Sequence, residues 1–133
     1  MEDGFSAMPR RILIIDDEDD IREVAALSLE TVAGWDVTMA GSGAAGIIKA
    51  QELLPDAILL DVMMPVMDGP TTFRELRSRP ETSHIPVILL TAKVQAADQK
   101  RFSDLGVARV MFKPFDPLTL ARDIAEALGW KDE

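Results

Sequence analysis

Five apolar runs punctuate the chain, and each is followed by a stretch whose apolar residues recur at helical spacing. The first run, Ile12-Leu13-Ile14-Ile15, is unbroken and mostly β-branched. A run without alternation predicts a strand buried on both faces, as in a parallel sheet. Behind it, Ile21, Val24, Ala25, Ser28 and Leu29 fall at helical spacing. Asp19 and Asp20 precede them, where a helix N-terminus favours negative charge. Gly34 closes this helix, and Trp35 leads into a second strand, Asp36 to Ala40. A second helix is predicted from about Gly43 to Leu54, with Ala44, Ile47 and Ile48 facing inward and Pro55 as its stop. The third strand, Ala57 to Leu60, ends at Asp61. A loop from Val62 to Gly69 leads to a short helix from Pro70 to about Ser78, with proline in the first turn. The fourth strand, Pro86 to Leu90, ends at Thr91. The helix after it, Gln95 to Leu105, has the weakest apolar face and is expected to be the most exposed or mobile. The fifth strand, Arg109 to Phe112, ends at Lys113. The last helix starts near Pro117, presents Ala121, Ile124, Ala125 and Leu128, and ends at Gly129.

Five βα units in succession predict an α/β fold: a doubly wound parallel sheet with five helices and right-handed crossovers. Five strands at this length suit the flavodoxin-like order 2-1-3-4-5, although periodicity alone does not fix the order. The 133 residues suit a single domain. It is expected over residues 10–130, between a flexible tail (1–9) and a short C-terminal end (131–133), with no room for an output domain.

In open α/β sheets, ligands bind outside the carboxyl ends of the strands, near the topological switch point. For this order, that point lies between the first and third strands. Polar residues at the strand ends can then be read off directly. They are Asp16 and Asp17 followed by Glu18, then Asp61, Thr91 and Lys113. Converging carboxylates repel unless a cation sits among them, and hard oxygen ligands suit Mg²⁺. An amine and a hydroxyl nearby would bind further anionic oxygens. Such a set is built to stabilise a phosphoryl group, and a carboxylate at the strand tip can itself be the nucleophile. Asp61 is the natural candidate, since it stands alone on the central strand while Asp16 and Asp17 are paired.

Composition narrows the alternatives. There is no cysteine, which excludes a disulfide scaffold and a Cys-ligated zinc site. With one histidine, His84, a Ser/His triad would rest on that residue alone. His84 is expected at the surface, as are Arg74, Arg77 and Arg79 on a solvated helix face. A net charge of −9, from 23 acidic and 14 basic residues, argues against a nucleic-acid partner. No apolar run reaches the ~18 residues of a membrane span and no signal-peptide pattern opens the chain, so a cytoplasmic location is expected.

Together, Ile14-Ile15-Asp16-Asp17-Glu18, Leu60-Asp61-Val62-Met63-Met64-Pro65-Val66-Met67-Asp68-Gly69, Leu90-Thr91-Ala92 and Lys113-Pro114-Phe115 resemble the receiver domains of two-component response regulators. The resemblance runs from about residue 10 to 129, and the sequence is similar to the single-domain chemotaxis type. It implies that Asp61 accepts a phosphoryl group from a histidine kinase or phosphotransfer protein. It further implies that Asp16, Asp17, Asp61 and the backbone carbonyl of Met63 hold Mg²⁺ or Mn²⁺. Thr91 and Lys113 would bind phosphoryl oxygens, and Lys113-Pro114 would be a cis peptide. The implied output surface is the fourth helix, fifth strand and fifth helix. Such a protein is a phosphoacceptor signalling domain with slow autophosphatase chemistry, not an enzyme with a separate product. The family often carries an aromatic switch three residues before the lysine. Here that position is Val110, so the signal is expected to pass through the loop after Thr91 and the fourth helix. Met63 and Lys93 occupy positions that tune dephosphorylation in the family.

Other readings are weaker. Gly41-Ser42-Gly43-Ala44-Ala45-Gly46 matches the dinucleotide-binding GxGxxG pattern, but it follows the second strand and not the first. A glycine-rich turn and helix cap is the plainer account. A phosphohydrolase of the haloacid dehalogenase type would carry a second acid two residues after the nucleophile, where this chain has Met63. Met63, Met64 and Met67 are expected to pack rather than to ligate. A receiver-like module that is never phosphorylated is disfavoured by the intact set of Asp16, Asp17, Asp61, Thr91 and Lys113.

Overall fold

The computed structural model describes residues 9–92 and 95–130; the expected tail up to residue 8, Lys93 and residues 131–133 lie outside them. Strands and helices alternate along the chain: β1 (Arg11–Ile15), α1 (Asp19–Ala33), β2 (Asp36–Ala40), α2 (Gly43–Leu53), β3 (Ala57–Asp61), α3 (Gly69–Arg77), β4 (Val87–Thr91), α4 (Ala96–Ser103), β5 (Arg109–Phe112) and α5 (Leu120–Leu128). The strands form one parallel sheet in the order β2-β1-β3-β4-β5, as expected.

Successive side chains of a strand point to opposite faces, so a strand covered on both sides must be apolar at every position. Leu13, Ile15, Ile58, Leu60, Val87 and Leu89 pack with Ile47, Phe73, Leu76 and Phe102 of α2, α3 and α4. Ile12, Ile14, Leu59, Ile88 and Leu90 pack on the other face with Ala25, Leu29, Leu120 and Ile124 of α1 and α5. The edge strands β2 and β5 are only partly buried. α4 buries Phe102 alone among its residues, in keeping with its weak apolar face.

Three expectations need correction. α2 turns Gly43, Gly46, Ile47 and Ala50 inward. Ala44 and Ile48 are exposed. The reason is close approach: a Cβ on Gly46 would lie 2.4 Å from Ile15 Cδ1. The helix rests on its glycine side, which hydrophobic periodicity does not register. The glycine pattern is therefore a packing stripe, with Ser42 capping the helix by accepting from the Ala45 N–H at 3.1 Å. Second, Arg77 is not on a solvated face. Its Nη1 donates to Ile85 O at 2.9 Å and its guanidinium lies 4.5 Å from the Phe73 ring centre. Third, Met64 is buried and Met67 packs on the core, but Met63 is exposed.

The loop after β3 closes on itself beside Asp61. Gly69 N donates to Val62 O at 2.9 Å, and Asp68 caps α3 by accepting from the Thr71 N–H at 2.9 Å. A Cβ on Gly69 would lie 2.5 Å from Asp61 O and 2.8 Å from Val62 Cα, both backbone atoms without rotameric escape. Gly69→Ala should therefore lower the unfolding free energy by roughly 1–3 kcal/mol, measured by urea denaturation. Wild-type stability in this variant would show that the loop has room to spare.

Candidate functional site

The carboxyl edge of the sheet gathers the polar strand ends. Asp16 directly follows β1, and its N–H donates to Ala40 O of β2 at 3.1 Å. The chain then folds around its side chain, with Glu18 N donating to Asp16 Oδ1 at 2.8 Å. From α1, Arg22 Nη1 donates to Asp16 O at 2.8 Å. Asp61 is the last residue of β3, in register with Leu90, and Thr91 ends β4 next door. Lys113 N donates to Thr91 O at 2.9 Å, which places Lys113 beside it. The Lys113-Pro114 bond is cis. Asp16, Asp61 and Thr91 are 1%, 3% and 0% exposed, so these polar residues sit at core depth.

Among the described residues, one ammonium serves this cluster. Lys113 Nζ lies 2.8 Å from Glu18 Oε1, 3.1 Å from Asp61 Oδ1 and 3.2 Å from Asp16 Oδ2. Carboxylate oxygens of Asp16, Glu18 and Asp61 lie within 4.8 Å of one another. Asp17 stands outside that trio. Asp16 Oδ2, Asp17 Oδ1 and Asp61 Oδ2 are buried without a hydrogen-bond partner among the described residues; Asp16 Oδ2 is near the ammonium but not aligned for a hydrogen bond. Buried acceptors of this kind are normally satisfied. Hard oxygen donors, several negative charges and three unsatisfied atoms fit a divalent cation such as Mg²⁺.

Electrostatics follow from this crowding. Burial, then repulsion from Asp16, pushes the Asp61 carboxyl up to about 7. The Lys113 ammonium and the Met63 N–H, which donates to the carboxylate, oppose the rise but do not cancel it. Burial would lower Lys113, but its hydrogen bond to Glu18 and the attraction of Asp61 and Asp16 outweigh burial and raise it. On the neighbouring loop, the Thr71 N–H holds Asp68 below the usual carboxylate range.

Residues 12–125 match the response regulator receiver domain. The chain belongs to this family. Members are phosphoacceptor signalling domains that interact with histidine kinases or phosphotransfer proteins and with downstream targets. The receiver is 44% identical over 109 residues to the DNA-binding dual master transcriptional regulator RpaA of Synechocystis, covering 82% of this chain and 44% of that protein. It is 40% identical over 114 residues to the response regulator PleD of Caulobacter vibrioides, covering 85% of this chain and 25% of that protein. It thus spans less than half the length of either relative. Among solved structures, the chemotaxis protein CheY4 of Vibrio cholerae superposes with a TM-score of 0.83 at 28% identity, covering 90% of this chain and 99% of that one. The receiver domain of the sensor histidine kinase PA1611 of Pseudomonas aeruginosa superposes with a TM-score of 0.81 at 29% identity, covering 92% and 99%. That structure has a magnesium ion coordinated in its active site cleft.

The strand-end residues named from sequence converge on one edge, where the Lys113 ammonium contacts both Asp16 and Asp61. Lys93 lies outside the described residues. Glu18 is legible at the first strand's end, but its partner is not. Its bond to Lys113 spans 95 positions, and no local pattern announces it. Arg22 carries no sequence signal of its place at the site, because an arginine in the first turns of a helix ordinarily reads as solvated.

A raised carboxyl makes stability depend on pH with a definite sign. Folded Asp61 holds its proton up to about pH 7, whereas the unfolded chain releases it near 3.8. The stabilisation is full below 3.8 and is lost as pH rises to about 7. Metal-free protein should lose stability on the order of 2–4 kcal/mol from this group between those limits. Urea unfolding across that range should show the slope in wild type and not in Asp61→Asn. An unchanged slope in the variant would assign it to another group.

Proposed function

We propose that this receiver takes a phosphoryl group on Asp61 from a histidine kinase or phosphotransfer protein, with Mg²⁺ or Mn²⁺, and thereby switches partner binding in a phosphorelay. The observation that carries the reading is Asp61 itself. It is a buried carboxylate at the tip of the central strand, with Oδ2 unpartnered and Oδ1 3.1 Å from the Lys113 ammonium. In the transfer, an Asp61 oxygen forms the new bond to phosphorus as the bond to the donor's imidazole nitrogen breaks. The imidazole leaves with its electron pair and takes up a proton. Lys113 pairs with one phosphoryl oxygen, and the Thr91 hydroxyl donates to another. Asp16, Asp17, Asp61 and the Met63 carbonyl would hold the cation, which when bound would neutralise charge on the phosphoryl oxygens. The proposed domain spans residues 10–130 and acts in the cytoplasm, where ATP-dependent kinases supply the phosphoryl group. Self-phosphorylation from small donors and slow self-dephosphorylation belong to the same reading.

The proposed output surface is α4, β5 and α5. Val110 is partly buried against the core on the α2–α4 side, and an aliphatic side chain cannot make an aromatic rotamer swing. α4 is anchored by Phe102 alone. We therefore assign transmission to the segment from Thr91 to Leu105. Amide exchange with and without the phosphoryl mimic beryllofluoride should change most in this segment, and no change there would remove the assignment.

The direct test is intact-mass analysis after incubation with Mg²⁺ and acetyl phosphate. One added phosphoryl group is expected in wild type, none in Asp61→Asn and none with excess chelator. An unmodified wild-type mass would favour a receiver-like module that is not phosphorylated.

A further inference from the structure

Lys113 has three carboxylate neighbours, and the shortest contact is to the one with no role assigned so far. Glu18 Oε1 accepts a hydrogen bond from Lys113 Nζ at 2.8 Å, against 3.1 Å to Asp61 and 3.2 Å to Asp16. The three acids differ in setting. Asp16 and Asp61 are buried and fixed by the strand ends, while the Glu18 side chain is 59% exposed at the rim. Lys113 itself is 13% exposed, so its ammonium sits between a buried pair of acids and a rim acid. Asp16 and Asp61 also hold the unpartnered oxygens that fit a cation.

This creates a conflict. A dication engaged by Asp16 and Asp61 takes up the charge that now holds the ammonium inside and repels it. If the ammonium is to stay at hand for a phosphoryl oxygen, another anion must retain it. We propose that Glu18 is a positioning residue that retains Lys113 at the rim, so that the ammonium and a dication occupy the same site together. The proposal rests on the reading of Asp16 and Asp61 as cation ligands. Glu18 acts through Lys113 and is not itself a ligand of the cation.

The test is a double-mutant cycle on Mg²⁺ affinity, read by calorimetric titration of the unphosphorylated protein. Glu18→Gln should weaken Mg²⁺ binding by about tenfold, the order expected for loss of one charge-assisted contact. Asp20→Asn removes an equal charge from the nearby helix start and should weaken binding only about twofold, as for a solvent-screened charge. In a Lys113→Met background, the Glu18→Gln effect should shrink to that same small factor. An undiminished effect in that background would overturn the proposal, since Glu18 would then act on the cation directly. Absence of Mg²⁺ binding by wild type would overturn the cation reading and the proposal with it. Should Lys113→Met fail to fold, proton exchange at Lys113 Nζ in the Mg²⁺-loaded protein, followed by NMR, decides the matter. Exchange should be faster in Glu18→Gln than in wild type, and equal rates would overturn the retention role.

Discussion

The receiver is organised around a charge imbalance at one edge of its sheet. Among the described residues, Asp16, Glu18 and Asp61 meet one ammonium, that of Lys113, and an oxygen each of Asp16, Asp17 and Asp61 is buried without a hydrogen-bond partner. Two of the acids lie at core depth, where a carboxylate loses its hydration and a like charge nearby makes ionisation harder still. Folding alone would not favour such a cluster. The apolar bulk of the sheet must hold it in place, and an added cation relieves it.

That support comes from the strands. β1, β3 and β4 are apolar on both faces and stop where the polar residues begin. Parallel register then brings three chain-distant tips to one edge. Around Asp61, the backbone leaves little freedom. Gly69 lies against its carbonyl, and Asp68 ties the following helix to the loop. Around Asp16, the Glu18 N–H and the Arg22 guanidinium fix side chain and backbone respectively. The acidic residues are thus held from the second ring of contacts outward. The rim, by contrast, is left adjustable: Met63 and Glu18 are exposed, and α4 is anchored by one aromatic ring.

The fold was highly legible because its signals are local. Unbroken β-branched runs, glycine at helix ends and acids at helix starts each act over a few residues. Errors arose where a residue's role depended on something without a hydrophobic signature. α2 faces inward through glycines, so Ala44 and Ile48 lie on the outer side although their apolar character points inward. Arg77 reads as a surface charge until its guanidinium is seen against Phe73 and Ile85 O. The strand-end residues were legible for a different reason. An open parallel sheet sends every strand's carboxyl end to the same edge, so a list of end residues is already a crude map of the site.

By itself, the amino-acid order determined the five βα units, the acidic strand ends and the family pattern they form, because each is written in contiguous residues. Tertiary structure decided which charges touch. The contact of Glu18 with Lys113, across 95 positions, exists only because β1 and β5, on opposite sides of the central strands, end at the same edge. Burial was decided there too, since a carboxylate's protonation depends on the walls around it and not on its neighbours in the chain. Asp61 is raised to about 7 because burial strips its hydration and the Asp16 charge beside it adds repulsion.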